Sequence, residues 1–478
     1  MNLVQSIKES CFYRLCAAIA AWCSAQWEKS WIIDRFSSQK SGLAQAEGSI
    51  FHKIFLAIHH GLAWLFGKLH LTKLLQGSAF CIPALWCGLA VALTPVLPTM
   101  ASLALVLVSF ASLVLVFGRE RERKLVHFPA NKFIYIFVFI FLYATVTSVT
   151  PKGSLFVGLI TAAFTLFAIA VMNAFTKWSH VRALCALMVL AGVAVSLYGF
   201  WQYLHPQNYT SVWTDTDLFT TFSFRVYATF ANPNVLGEYF LLILPLAAAL
   251  VLTSRTWGGR IFWLGCGGVM MLCLLLTYSR GCYLGILFAV ALFLVLLDRR
   301  FILLGIVGLA LLPVVMPASI MERFLSIGDL TDTSSSYRLL IYLGTLGMLK
   351  DYWFSGIGPG MEAFNQVYPA YAYHAVSAPH SHNLFLQLTS DTGIFGMGVF
   401  CLVIFSFYRT CFTALRGERD FETRVFIITG ISAVSGFMVQ SMTDYTFYNY
   451  RVMLLFWAVL ALGLLFTRCK ELKGANNG

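Results

Sequence analysis

Long apolar runs follow one another along most of this 478-residue chain, separated by short polar connections. They fall near 77–97, 100–118, 133–150, 154–175, 182–203, 235–253, 261–278, 282–297, 301–318, 393–410, 424–441 and 452–467, and each is close to the ~20 residues a helix needs to cross a bilayer. Each run is continuous rather than alternating, which predicts membrane-spanning helices and not the strands of an outer-membrane barrel. The expected fold is therefore all-α: a polytopic membrane protein with about 12 transmembrane helices and a large, partly helical outer loop between spans 9 and 10. Residues 1–75 follow another pattern. Segment 49–74 mixes His and Lys with apolar residues at helical spacing, as a helix lying on the inner leaflet would. The organisation read from the pattern is an interfacial, cytoplasmic region over 1–75, a transmembrane domain over 76–467 and a cytoplasmic tail over 468–478. Residues 11–23 are short, interrupted by Arg14 and not followed by a small-residue cleavage site, so no cleavable signal peptide is expected.

Composition agrees with this class: 59% of residues are hydrophobic and 11% charged, against about 25% charged in an ordinary soluble domain. Charge then sets an orientation. If Arg119, Arg121, Arg123, Lys124 and Lys132 are cytoplasmic, the alternate connections hold eighteen Lys and Arg and the opposite ones seven, as the positive-inside rule requires. Both termini are then cytoplasmic, and the two longest loops, about 204–234 and 319–392, face outside. The net charge of +12 points to anionic membrane lipids rather than nucleic acid. None of the twelve cysteines lies in the two outer loops and no C-x-x-C pair occurs, so they read as packing residues.

The seven outward basic residues are Lys152, Arg225, Arg280, Arg323, Arg338, Lys350 and Arg451, and five are arginine. A guanidinium fork suits phosphate and carboxylate better than a lysine point charge does. The alternative is that each arginine pairs with a loop carboxylate such as Asp329, Asp332 or Asp444. Arg225 precedes Asn232-Pro233-Asn234, a turn and N-cap signal whose free backbone N–H groups favour an anion. Arg280 occupies the tight turn Thr277-Tyr-Ser-Arg-Gly281 at the membrane edge.

Within loop 319–392, Ser334-Ser335-Ser336 is expected to cap an amphipathic helix with Tyr337 at its start and Arg338 in its first turn. Gly356-Ile-Gly-Pro-Gly360 breaks that helix, and Asn365 to Tyr373 supplies residues of the kind that line a sugar or lipid groove. His380-Ser-His382-Asn383 opens a short helix that Gly393 is expected to stop. A zinc site could gather His374, His380, His382 and Glu362, but HExxH and paired-cysteine patterns are absent. No G-x-S-x-G elbow for Ser-His-Asp hydrolysis occurs either. No metal and no cofactor is expected.

His382-Asn383, nine residues, then Gly393-x-x-Gly396, at the end of a large outer loop, resembles the motif of the O-antigen ligase and polymerase superfamily. Arg225 before Asn-Pro-Asn and Ser279-Arg280-Gly281 are similar to its signatures as well, and the resemblance covers roughly residues 77–467. It implies transfer of a glycan from an undecaprenyl-diphosphate carrier to an acceptor glycolipid or glycan at the outer face of the bacterial inner membrane. By position, His382 would orient or deprotonate the acceptor hydroxyl while Arg225 and Arg338 hold the diphosphate. Arg280, Asn383, Asn232, Asn234, Tyr337 and His380 are the candidate substrate contacts. The chemistry suits these residue types: arginines can absorb charge on a leaving diphosphate, and an imidazole, titrating ordinarily near ~6.5, can take the acceptor's proton. In-line displacement would invert the anomeric centre. Ligase and polymerase remain alternatives, as does an inorganic-carbon type of transporter, though a transporter would carry polar or broken helices at mid-membrane. Glu238 and Asp444 lie at the rim and could support an active-site arginine.

Overall fold

The computed structural model describes residues 78–119, 125–209, 224–302 and 333–474, with isolated positions between 18 and 68 and between 305 and 321. The expected interfacial segment 49–74, most of the expected span 301–318 and the carboxylates Asp329 and Asp332 lie outside the described residues, as does Arg323. Among the described residues every regular element is helical. In chain order they are α1 (Pro83–Leu93), α2 (Thr99–Arg119), α3 (Pro129–Val146), α4 (Pro151–Ala174), α5 (Trp178–Leu204), α6 (Pro233–Thr253), α7 (Trp257–Leu275) and α8 (Arg280–Leu297). After the loop come α9 (Thr333–Tyr352), α10 (Met361–Val367), α11 (Leu384–Leu415), α12 (Phe421–Ser441), α13 (Tyr450–Phe466) and α14 (Cys469–Gly474).

Nine described helices, α2 to α8 with α11 and α12, are long and apolar enough to cross a membrane, while α1 and α13 are apolar but shorter. The chain is an integral membrane protein. Several helices start a few residues ahead of the apolar run that announced them, at Pro129, Pro151 and Trp178. Proline at the first helical position costs no hydrogen bond, so polar residues there still join the helix.

The core runs through α6, α12 and α13, where Trp457, Phe437, Phe456 and Phe426 are fully buried. Close packing there depends on small residues. A Cβ on Gly285 of α8 would lie 2.7 Å from the carbonyl oxygen of Gly436 on α12, so the two backbones touch. Leu264, Ile261 and Leu272 of α7 stay exposed, as lipid-facing residues would.

Four of the connections that carry Lys and Arg, those before α5, after α6, before α12 and after α13, meet at one end of the bundle. Glu422 at the start of α12 accepts from Arg182 Nη1 of α5 at 2.6 Å and from Lys473 Nζ of α14 at 2.8 Å. Arg182 also reaches the Thr253 carbonyl at the end of α6. The charge alternation along the chain is thus matched by a common end in space.

At the other end, the segment from α9 to the start of α11 folds over the bundle around its own small core of Ile341, Met348, Phe364 and Tyr368. The glycine-rich stretch after α9 stitches it down: Val149 N–H donates to Ile357 O at 3.0 Å, Ile357 N–H to Ser390 O at 2.7 Å, and Ile394 N–H to Trp353 O at 2.8 Å. Helix α9 begins at Thr333, so Ser334 to Ser336 sit inside its first turn rather than capping it, and Arg338 falls in the second turn. The correction has a local reason: serine hydroxyls serve a first helical turn as well as a cap, so the run marks the start only to within a turn.

Candidate functional site

Three helix entrances and one exit come together at this end. Each is shaped by its own sequence. Asn232 caps α6, its Oδ1 accepting from Asn234 N–H at 2.9 Å. Asn383 caps α11, accepting from Phe385 N–H and Leu386 N–H at 2.9 and 3.0 Å. Helix α8 starts at Arg280 beside the exit of α12, where a Cβ on Gly281 would lie 1.9 Å from Gln440 Oε1. Helix N-termini present free N–H groups and a positive dipole end, so this corner favours an anion.

Asp444, in the turn after α12, is the hub. Its Oδ1 receives His382 Nδ1 at 3.2 Å and the Tyr445 N–H at 2.9 Å. Its Oδ2 receives Asn234 Nδ2 at 3.1 Å and Arg338 Nη2 at 3.4 Å. Asn234 in turn accepts from Arg225 Nη2 at 2.9 Å, and Arg225 Nε donates to the Thr277 carbonyl at 2.9 Å. One carboxylate thereby links the imidazole to one arginine directly and to a second through an asparagine. Burial pushes the Asp444 carboxyl up, but the Arg338 guanidinium and the hydrogen bond from His382 outweigh it and hold it well below the usual carboxylate range.

An ionised carboxylate only accepts hydrogen bonds, so Nδ1 of His382 donates in that contact and Nε2 is the ring nitrogen facing away from Asp444. His382 adopts φ +50°, a conformation held by Tyr342 Oη donating to its carbonyl at 2.9 Å and by its own N–H donating to His380 Nδ1 at 3.2 Å. A non-glycine residue in this region signals a position fixed by its surroundings.

The expected site residues divide into two groups. His382, Arg338 and Arg225 meet around Asp444, with Asn234 as the bridge. Arg280 reaches the same rim at the head of α8. The others support the frame: Asn232 and Asn383 are taken up by capping, and Asn383 Nδ2 also ties the α12 exit through the Met442 carbonyl at 2.7 Å. Tyr337 lies 6.3 Å from the His382 ring, centroid to centroid, with its hydroxyl donating to the Ser377 carbonyl. His380 is buried behind His382, their rings 4.2 Å apart, against Tyr448 and Tyr445. Burial first, then the charge of His382, pushes the His380 imidazole down to about 3, so it is neutral. Arg451 donates to the carbonyls of Pro95 and Thr229 over the Phe230 ring, whereas Arg338 is the outward arginine that pairs with a weighed carboxylate, Asp444.

Asp444 was read in the sequence as a rim carboxylate able to support an active-site arginine, and the structure sets it 3.4 Å from Arg338 and 3.2 Å from His382. Among the described residues, His380, His382 and Asp444 form a possible metal group, with ligand atoms within 4.8 Å of one another. Their partners speak against that use: His380 Nδ1 already accepts a backbone N–H, and the Arg338 cation faces the other oxygen of Asp444. The other two proposed zinc ligands lie apart, Glu362 against Gly153 of α4 and His374 in a turn over 373–375.

Residues 265–401 match the O-Antigen ligase family. The matched segment runs from α7 through α8, α9 and the loop into α11, and so carries Arg280, Arg338 and His382, while Arg225 and Asp444 lie outside it. The segment, less than a third of the chain, is similar to that family and holds the Ser279-Arg280-Gly281 and His382-Asn383 to Gly396 motifs, while Arg225 and its Asn-Pro-Asn motif lie outside the match. A comparison with curated proteins finds no match to the chain.

Proposed function

We propose that the protein transfers a glycan from undecaprenyl diphosphate to an acceptor hydroxyl at the outer face of the bacterial inner membrane, as an O-antigen ligase or a polymerase of that superfamily. The observation that supports the reading is the Asp444 hub, which joins the His382 imidazole to the Arg338 guanidinium directly and to that of Arg225 through Asn234. His382 Nε2 takes the proton of the acceptor hydroxyl as its oxygen bonds to the anomeric carbon. The bond from that carbon to the diphosphate breaks, and its electron pair leaves with the diphosphate, which Arg338 and Arg225 hold. Attack from the face opposite the leaving group inverts the anomeric centre. Asp444 fixes the ring's tautomer and stabilises the imidazolium that forms, the part an aspartate plays beside a catalytic histidine elsewhere. The arginines supply charge stabilisation where other glycosyl transfers use a divalent ion.

The test is surface glycan attachment in cells carrying His382→Ala or Arg338→Ala. Both variants are expected to reach the membrane folded and to lose attachment, since a positioned base alone contributes about 10²–10⁴-fold. Unchanged glycosylation in both would remove the transferase reading and leave a transporter in its place.

A further inference from the structure

Helix α9 carries an apolar face that the site does not use. Leu339, Leu343 and Leu346 are 42%, 40% and 49% exposed. Their spacing puts them on one stripe, while Ile341, Thr345 and Met348 turn the other way into the loop's small core. The stripe runs on through exposed Lys350 to Trp353 and Phe354, which are 53% and 59% exposed. Phe354 meets Phe395 edge-on at 5.1 Å, and Phe395, itself exposed, lies on the membrane helix α11 two residues past its break at Gly393. The apolar face of α9 is therefore continuous with the exposed surface of a span.

We propose that α9 lies flat on the outer leaflet of the bilayer. Leu339, Leu343 and Leu346 enter the boundary between headgroups and acyl chains, Trp353 and Phe354 sit in the interfacial belt, and Lys350 reaches to lipid phosphates. The stripe follows α9 from Leu339 to its end at Tyr352, about 20 Å of helix, and continues into the turn that holds Trp353 and Phe354. Arg338 adjoins its first leucine, so seating the helix fixes the height of that guanidinium at the depth of a lipid phosphate. The consequence for Arg338 rests on the transferase reading, whereas the seating of α9 rests on its exposed face alone. Continuity with α11 favours a lipid surface over a protein partner, since a partner on this stripe would also have to displace lipid from the span.

The experiment uses the full chain in phosphatidylcholine and phosphatidylglycerol vesicles containing a phosphatidylcholine with a photoactivatable diazirine in its acyl chain, followed by peptide mapping of the adducts. Adducts are expected at Leu339, Leu343, Leu346, Trp353 and Phe354 as well as on α11, with Ile341 and Met348 spared. The double variant Leu343→Glu with Leu346→Glu should lose the α9 adducts and keep those of α11. Labelling of α11 without α9 in the native chain overturns the proposal, and so does a double variant that labels α9 as the native chain does. Loss of the α9 adducts alone on addition of unlabelled undecaprenyl phosphate also overturns it, because the stripe would then be a groove for the carrier's tail. Labelling needs neither glycan nor turnover, so a negative result leaves the transferase reading standing.

Discussion

At the scale of single residues, the site turns on a carboxylate that makes no chemistry of its own. Asp444→Asn keeps the size of the side chain but removes the charge that holds His382 and Arg338 together. The expected outcome is a fall in kcat of about 10²–10⁴-fold, with the KM for carrier glycan changed far less, because the substitution affects the base more than diphosphate binding. Steady-state kinetics in detergent measure the split. His380 adds a pH dependence of stability. The folded protein keeps it neutral down to about 3, whereas the unfolded chain protonates histidine below ~6.5. The unfolded state therefore binds the extra proton, and stability falls as pH drops from ~6.5 toward about 3, by at most about 1.4 kcal/mol per pH unit. Asp444, with its pKa depressed, stabilises the fold above the ordinary ~3.9 and loses that contribution only at lower pH, so it adds nothing to the slope above pH 5. Thermal unfolding should show a shallower acid slope in His380→Phe than in the native chain. Arg338, His382 and Arg225 stood out because charged and titratable groups are conspicuous in an apolar chain, and the structure brings all three together around Asp444. Asp444 stood out less, because its partners are remote in sequence: 62 residues separate it from His382, 106 from Arg338 and 210 from Asn234.

At the scale of elements, the break in α11 does the positioning. Gly393 has φ +67° and ψ −176°, and a Cβ there would lie 2.0 Å from the Phe354 carbonyl oxygen. No L side chain fits without moving backbone, so Gly393→Ala is expected to cost about 1–3 kcal/mol of stability and to loosen the link between α9 and α11, visible as a lower Tm and reduced transfer. Glycine at this point was read correctly as the stop of a short helix. The start of α9 was read a turn late, since serines tolerate both sides of a helix boundary, and the packing of the glycine-rich stretch against 390–394 could not be read at all: backbone hydrogen bonds such as Ile357 to Ser390 leave no mark in side-chain pattern.

At the scale of the whole molecule, apolar run length was sufficient to read an all-helical membrane bundle, and four of the connections that carry Lys and Arg share one end of it. Run length measures bilayer thickness rather than helix length, which is why the described helices overrun or fall short of the runs that announced them. The central claim is metal-independent transfer driven by one imidazole and paired arginines. Purified protein incubated with undecaprenyl-diphosphate glycan and candidate acceptors, with and without a chelator, tests it most directly. Product formed equally in both conditions by the native chain, and lost in His382→Ala, is the result this account predicts. Product abolished by the chelator and restored by added divalent metal would contradict it.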